Sequence, residues 1–124
     1  MSRPTIDETM LQIAVVLSMR GTCMKKQVGC VIVDNKGVIL SSGYNGQPRG
    51  QVHCSDITPC PAYFDGNLSC QAIHAEQNAL MRCPDVDKIY TIYITEEPCM
   101  KCKLLIDNTS CKRIVWIGGE RIGI

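Results

Sequence analysis

Apolar residues recur at helical spacing near the start of the chain, at Met10, Ile13, Ala14 and Leu17, and predict a first helix. Thr5-Ile6-Asp7-Glu8 ahead of them fits a capping box, with the Thr5 hydroxyl on an orphan amide, Glu8 reaching back, and Gly21 as the stop. The period then changes. Residues 28–34 are rich in β-branched side chains and predict a strand, Asn35-Lys36-Gly37 a tight turn, and 38–44 the returning strand of a β-hairpin. From 45 to 69 the pattern lapses into glycine, proline, aspartate and cysteine without periodicity; so long a loop is usually functional or cross-linked. A second helix is predicted over 73–82, ended by Cys83-Pro84, and a strand over 88–95 whose two apolar faces suggest a central place. Pro98 suits the first turn of a third helix running to about Asn108, and 113–117 (RIVWI) predicts a fourth strand. Residues 118–124 suggest only a short stub.

The order α-β-β-α-β-α-β predicts a single α/β domain over 1–124. Its mixed sheet combines an antiparallel hairpin with later strands joined by right-handed crossovers, and its helices cover the sheet faces.

Composition narrows the picture. A chain of 124 residues, 45% hydrophobic and 20% charged, suits one soluble domain with a modest core. No apolar run reaches the roughly 20 residues of a membrane helix, and residues 1–5 lack the apolar core of a signal peptide; a cytoplasmic protein with no membrane partner is expected. A net charge of +1, with cations scattered apart from Lys25-Lys26 and Lys101 with Lys103, argues against a polynucleotide partner. A small substrate with one phosphate needs only a few cations. Nine cysteines are many, and an odd count in such a chain points to metal ligation rather than to disulfides alone. Cys30, Cys83 and Cys111 read most simply as small buried hydrophobes.

Two segments carry the chemistry: His74-Ala75-Glu76 and Pro98-Cys99-Met100-Lys101-Cys102. His74, Cys99 and Cys102 supply three zinc ligands and leave a fourth tetrahedral position for water, and Glu76 is the proton carrier such a water needs. Residues two apart do not share a helix face, so His74 and Glu76 converge only at a helix N-terminus, and Cys99 likewise. Two helix N-termini aimed at the metal are expected to lower the thiol pKa of Cys99 and Cys102. Either segment alone is commonplace. Together and in this order they point to a reactive zinc, because a purely structural site would need a fourth ligand and would leave Glu76 without a task.

With these residues in hand, the chain resembles the cytidine deaminase-like superfamily and, within it, the deoxycytidylate (dCMP) deaminases. The resemblance runs from the first helix to Ile117. It rests on Cys23-Met-Lys-Lys-Gln-Val-Gly-Cys-Val-Ile-Val33, Gly43-Tyr-Asn-Gly-Gln-Pro-Arg-Gly50, His53-Cys54-Ser-Asp56, His74-Ala-Glu-Gln-Asn-Ala79 and Glu97-Pro-Cys-Met-Lys-Cys102. It implies a three-layer α-β-α fold with a sheet of four to five strands and a homo-oligomer, often a hexamer. The implied activity is zinc-dependent hydrolysis of dCMP to dUMP and ammonia, supplying dUMP for thymidylate synthesis. Glu76 then moves protons to ring N3 and the leaving amine; the motif's own geometry makes the Ala75 amide, in the first helical turn, a natural donor to the base O2. Asn45 is implied to contact the deoxyribose and Lys25 to lie near the phosphate, where the family usually has arginine. Gly43, Tyr44 and Gly46 fall near a site for the effectors dCTP and dTTP in several family members.

The resemblance also implies a second, structural zinc held by Cys23, Cys54, Cys60 and Cys70, with His53 as the substitute ligand. The family usually continues past the fourth strand with a helix and strand, so here the fifth strand is expected to be missing and its edge covered by a neighbouring subunit. Competing readings are a dCTP deaminase, a tRNA adenosine deaminase and a non-catalytic zinc-stapled binding module. The long cysteine-rich loop and the absence of a basic surface count against the tRNA reading.

Overall fold

The computed structural model describes residues 2–22, 26–46, 49 and 73–123. Thr5 caps α1 (Ile6–Ser18): its hydroxyl accepts from the Glu8 amide at 3.1 Å, and Glu8 accepts from the Thr5 amide at 3.2 Å. The hairpin is β1 (Gly29–Val33) and β2 (Ile39–Tyr44), with a bulge between Ile32 and Val33. Helix α2 (Ala75–Arg82) begins two residues later than its sequence pattern suggests. Ile73 instead makes a two-way main-chain bridge with Gly46, which leaves His74 as the cap.

Strand β3 (Thr91–Ile94) is shorter than predicted, because Asp85 caps a 3₁₀ turn over Val86–Lys88 that takes the preceding residues out of the strand. Helix α3 (Met100–Asp107) is capped by Cys99, so Pro98 lies before the cap rather than in the first turn. Strand β4 (Arg113–Trp116) follows.

A fifth strand, β5 (Gly119–Ile122), then pairs antiparallel with β4, Trp116 opposite Gly119 and Arg113 opposite Ile122. This corrects the expectation that the fifth strand is missing and that β4 leaves its edge to a neighbouring subunit. The reversal is a tight turn over Ile117 and Gly118, and Gly118 adopts a φ of +104° that side chains rarely tolerate. The strand's half-exposed residues give little apolar alternation, which hides it from a search for hydrophobic pattern.

The sheet order is β2-β1-β3-β4-β5, with β3 central. Among the described residues only β3 and β4 form a parallel pair; β2 and β3 run the same way but with β1 between them. Alternation along each strand sorts the core into two faces. Val31, Val33, Tyr93 and Val115 meet Ala14 of α1, with Met10, Leu11, Ile13 and Leu17 packed around them. Cys30, Ile32, Ile92, Ile94 and Ile114 meet Ala75 and Ala79 of α2 and Ile106 of α3. The result is the three-layer α-β-α arrangement. Each buried isoleucine removes enough apolar surface to contribute about 1.5–3 kcal/mol. Cys30 and Cys111 are buried in this core and Cys83 is half-buried against it.

Helix α2 sits unusually close to β2. A Cβ at Gly43 would fall 2.7 Å from both the Ala75 carbonyl and the Ala79 amide, so only glycine permits this approach. Two side chains lock it: Ser41 Oγ donates to the Ala79 carbonyl at 2.6 Å, and Asn78 Nδ2 to the Tyr44 carbonyl at 2.9 Å. Among the described residues, no helix is long and apolar enough to cross a membrane.

Candidate metal centre

Both chemical segments lie at helix starts, and the fold brings those starts together. His74 is the extended cap of α2, held by the Gly46–Ile73 bridge on one side and by the Gln77 side chain, which accepts from the His74 amide at 3.0 Å, on the other. Cys99 is the extended cap of α3. The turn leading to it is tied to β1, since the Thr95 amide donates to the Gly29 carbonyl at 3.1 Å and the Gly29 amide to Thr95 Oγ1 at 3.3 Å. Cys102 lies in the first turn of α3, fully buried.

The ligand atoms of His74, Cys99 and Cys102 all lie within 4.8 Å of one another. The ring nitrogen aimed at the thiols is Nδ1, 3.2 Å from Cys102 Sγ and 3.8 Å from Cys99 Sγ. Tetrahedral zinc with ordinary Zn–N and Zn–S bonds places N and S about 3.6 Å apart, so the group already stands near the spacing the ion needs. One imidazole and two thiols form a donor set suited to zinc, and three protein ligands are the number that leaves a coordination position for a reactant.

Glu76 is 3% exposed, in the first turn of α2. Burial raises its carboxyl pKa against the opposing pull of its own backbone amide, His74 and the Cys102 thiol, which donates to it. The Cys102 thiol is pushed far up by burial, by the Glu76 charge and by Cys99. Cys30, on β1, is pushed up first by burial and then by the charges of Glu76, Cys111 and Cys102. In the absence of a cation, desolvation beside a carboxylate governs Cys102. A divalent cation reverses this balance, since its binding requires the thiolates and releases their protons.

The remaining predicted residues fall as follows. Ala75 is the first residue of α2 and fully buried, and its amide has no intrahelical acceptor. Asn45 is 7% exposed, and its carboxamide is engaged at both ends: Oδ1 accepts from the Val28 amide at 2.8 Å and Nδ2 donates to the Lys26 carbonyl at 2.9 Å. One Nδ2 hydrogen and one Oδ1 lone pair remain for any further partner. Gly43 and Tyr44 belong to β2 and pack against α2, and Gly46 makes the bridge that precedes His74. The Tyr44 hydroxyl accepts from Arg20 Nε at 3.4 Å. Lys25, His53 and the second ligand set Cys23, Cys54, Cys60 and Cys70 lie outside the described residues.

Sequence reasoning missed two ion pairs beside the site. Lys26 Nζ lies 3.3 Å from Glu96, and Lys103 Nζ 2.6 Å from Glu97. Neither pair sits at a helical or strand spacing, so the sequence carried no signal for them.

A family model described as the cytidine and deoxycytidylate deaminase zinc-binding region matches residues 4–117. A deoxycytidylate deaminase of Mycobacterium phage D29 is 39% identical over 128 residues, covering 94% of this chain and 97% of that protein. The deoxycytidylate deaminase of Saccharomyces cerevisiae is 37% identical over 126 residues, 97% of this chain and 40% of the yeast protein. Among solved structures, the dCMP deaminase of cyanophage S-TIM5 in complex with dCMP and dUMP matches with a TM-score of 0.75 at 29% identity, over 94% of this chain and 83% of that one. The extent of the family match and the near end-to-end similarity to the phage D29 protein agree with the His–Cys–Cys cluster at the two helix starts, and this chain belongs to the cytidine and deoxycytidylate deaminase zinc-binding family.

Proposed function

We infer that this chain hydrolyses dCMP to dUMP and ammonia, with zinc held by His74, Cys99 and Cys102 and with Glu76 as the proton carrier. The observation that carries the chemistry is the buried Glu76 carboxyl set against a three-ligand His–Cys–Cys cluster. The nucleotide named by the phage relatives supports the choice of substrate.

Zinc, when bound, polarises water and so supplies a nucleophile at neutral pH. The chain's own residues do the rest. The Glu76 carboxylate accepts the proton released from water, passes it to ring N3 of the cytosine, and helps the C4 amino group leave as ammonia. Its raised pKa suits a group that must hold a proton between those two transfers. The Ala75 amide, at the start of α2, donates to the base O2. Asn45 takes the deoxyribose with its remaining hydrogen-bonding capacity, and Lys25 the phosphate. Cys23, Cys54, Cys60 and Cys70 hold a second zinc, and the protein works as a homo-oligomer; the apolar Met100, Leu104 and Leu105 exposed on α3 support the latter.

The test incubates the purified protein with dCMP, dCTP, CMP and deoxycytidine and follows loss of the cytosine absorbance, with zinc counted per chain. Turnover is expected with dCMP above the other three, about two zinc per chain, and loss of activity on chelation. No ammonia from any of the four substrates would sink the enzyme reading.

A further inference from the structure

Glu97 and Lys103 flank the segment that carries both thiol ligands. Between them lie Pro98, Cys99, Met100, Lys101 and Cys102 and nothing else. The Lys103 amide donates to the Cys99 carbonyl at 2.9 Å, which closes the first turn of α3 around the two cysteines. The Lys103 side chain then turns back, and its Nζ meets Glu97 Oε2 at 2.6 Å. The same ammonium stands 6.0 Å from the centre of the Trp116 ring, on β4.

Exposure separates the lysine of this pair from an ordinary surface contact. The neighbouring Lys26–Glu96 pair has side chains 64% and 45% exposed, and solvent screens it. The Lys103 side chain is 19% exposed, beside Trp116 and Glu97, while Glu97 itself is 55% exposed. Its anchorage is on the sheet, whereas Glu97 belongs to the turn that delivers Cys99. An ion pair between them fixes the turn relative to the sheet.

We propose that Lys103 and Glu97 are positioning residues for zinc: their ion pair clamps the Pro98–Cys102 segment against Trp116 and holds Cys99 in ligating register with Cys102 and His74. Cys99 needs such a clamp more than Cys102 does, because it is exposed while Cys102 is buried in the helix–sheet interface. The pair also neutralises a carboxylate two residues from a thiolate ligand. This rests on the reading that these three residues hold zinc.

The experiment loads the full chain with zinc and measures release to an excess of the indicator 4-(2-pyridylazo)resorcinol, counting only the zinc that His74→Ala removes. Glu97→Gln and Lys103→Met should each speed that release about tenfold, the size usual for partners that orient metal ligands. The double variant should be no faster than either single one, and Lys103→Arg should stay near the parent. Release within twofold of the parent in Glu97→Gln overturns the clamp, as do effects that multiply in the double variant. If Lys103→Met does not fold, the exposed Glu97→Gln decides alone. A parent protein that binds no His74-dependent zinc removes the metal reading itself, a result distinct from unchanged release.

Discussion

The two faces of the sheet handle charge in opposite ways. Under α1, Asp7 accepts from Arg113 at 2.8 Å and 3.3 Å and from the Tyr93 hydroxyl at 2.6 Å, while Arg113 also reaches Glu120 at 3.0 Å. Each group meets its complement within the chain, and Arg113 holds the Asp7 carboxyl below its ordinary pKa. Under α2 and α3 the signs do not balance. Glu76, Cys102 and Cys30 crowd together: burial pushes each of them up, and the Glu76 charge adds to the rise at both thiols. One face has finished its electrostatics with its own side chains; the other is complete only with a cation. Groups whose environment disfavours their charged form, gathered beside ligand-type atoms, mark the working face.

The sharpest way to break this contrast is Glu76→Gln. The amide keeps the size and loses the proton chemistry. Turnover of dCMP should fall by about 10²–10⁴-fold, the range for removing a positioned acid–base group. Zinc content should hold, because Glu76 is not among the ligand atoms of the cluster. Activity within tenfold of the parent would remove Glu76 from the chemistry; loss of zinc would instead make it part of the site's framework.

A smaller effect is expected at Asn45, where the two roles meet. Its carboxamide satisfies the amide of Val28 and the carbonyl of Lys26, both ahead of β1. Asn45→Ala leaves the buried Val28 amide without its acceptor and should cost about 1–3 kcal/mol of stability, read from urea unfolding. If Asn45 also takes the deoxyribose, the KM for dCMP should rise in the surviving folded fraction. An unchanged unfolding midpoint would show that water replaces the carboxamide.

What the sequence revealed follows the range of the forces involved. The capping box at Thr5 and the hairpin over 29–44 are set by neighbours a few residues apart and were legible, and the starts of the two chemical helices were legible to within two residues. So was the gathering of His74, Cys99 and Cys102, since zinc chemistry restricts residue type as well as spacing. Strand β5 was not, because a half-exposed strand in this chain shows weak alternation; the Gly118-Gly119 pair was the available sign. The partners of Asn45 are main-chain atoms 17 and 19 residues away and leave no trace in residue identity. The burial of Cys102 beside Glu76, which raises its thiol pKa, depends on tertiary packing and is not visible in sequence.

The finished face offers the smallest but cleanest measurement. Arg113 lowers the Asp7 pKa from 3.8, so the pair adds stability above that value, and the gain fades as pH falls through the folded-state pKa. Tyr93 behaves in mirror image: burial and then Asp7 raise it from 10.0 to about 12, so its contribution is complete below pH 10 and fades as pH rises towards 12. The Asp7 side chain is 40% exposed, so solvent screening limits its share to about 0.5–1 kcal/mol. Unfolding midpoints against pH should therefore separate the parent from Asp7→Asn mostly above pH 4, with the two curves converging below it. Tyr93→Phe should flatten the alkaline limb between pH 10 and 12 and, by removing one hydrogen bond to Asp7, alter the acid limb less than Asp7→Asn does. Taking differences from the parent cancels the common loss of zinc in acid, which belongs to the other face. Curves for Asp7→Asn that run parallel to the parent down to pH 2 would show that the α1 network is not held by charge, and the contrast between the faces would reduce to one of packing.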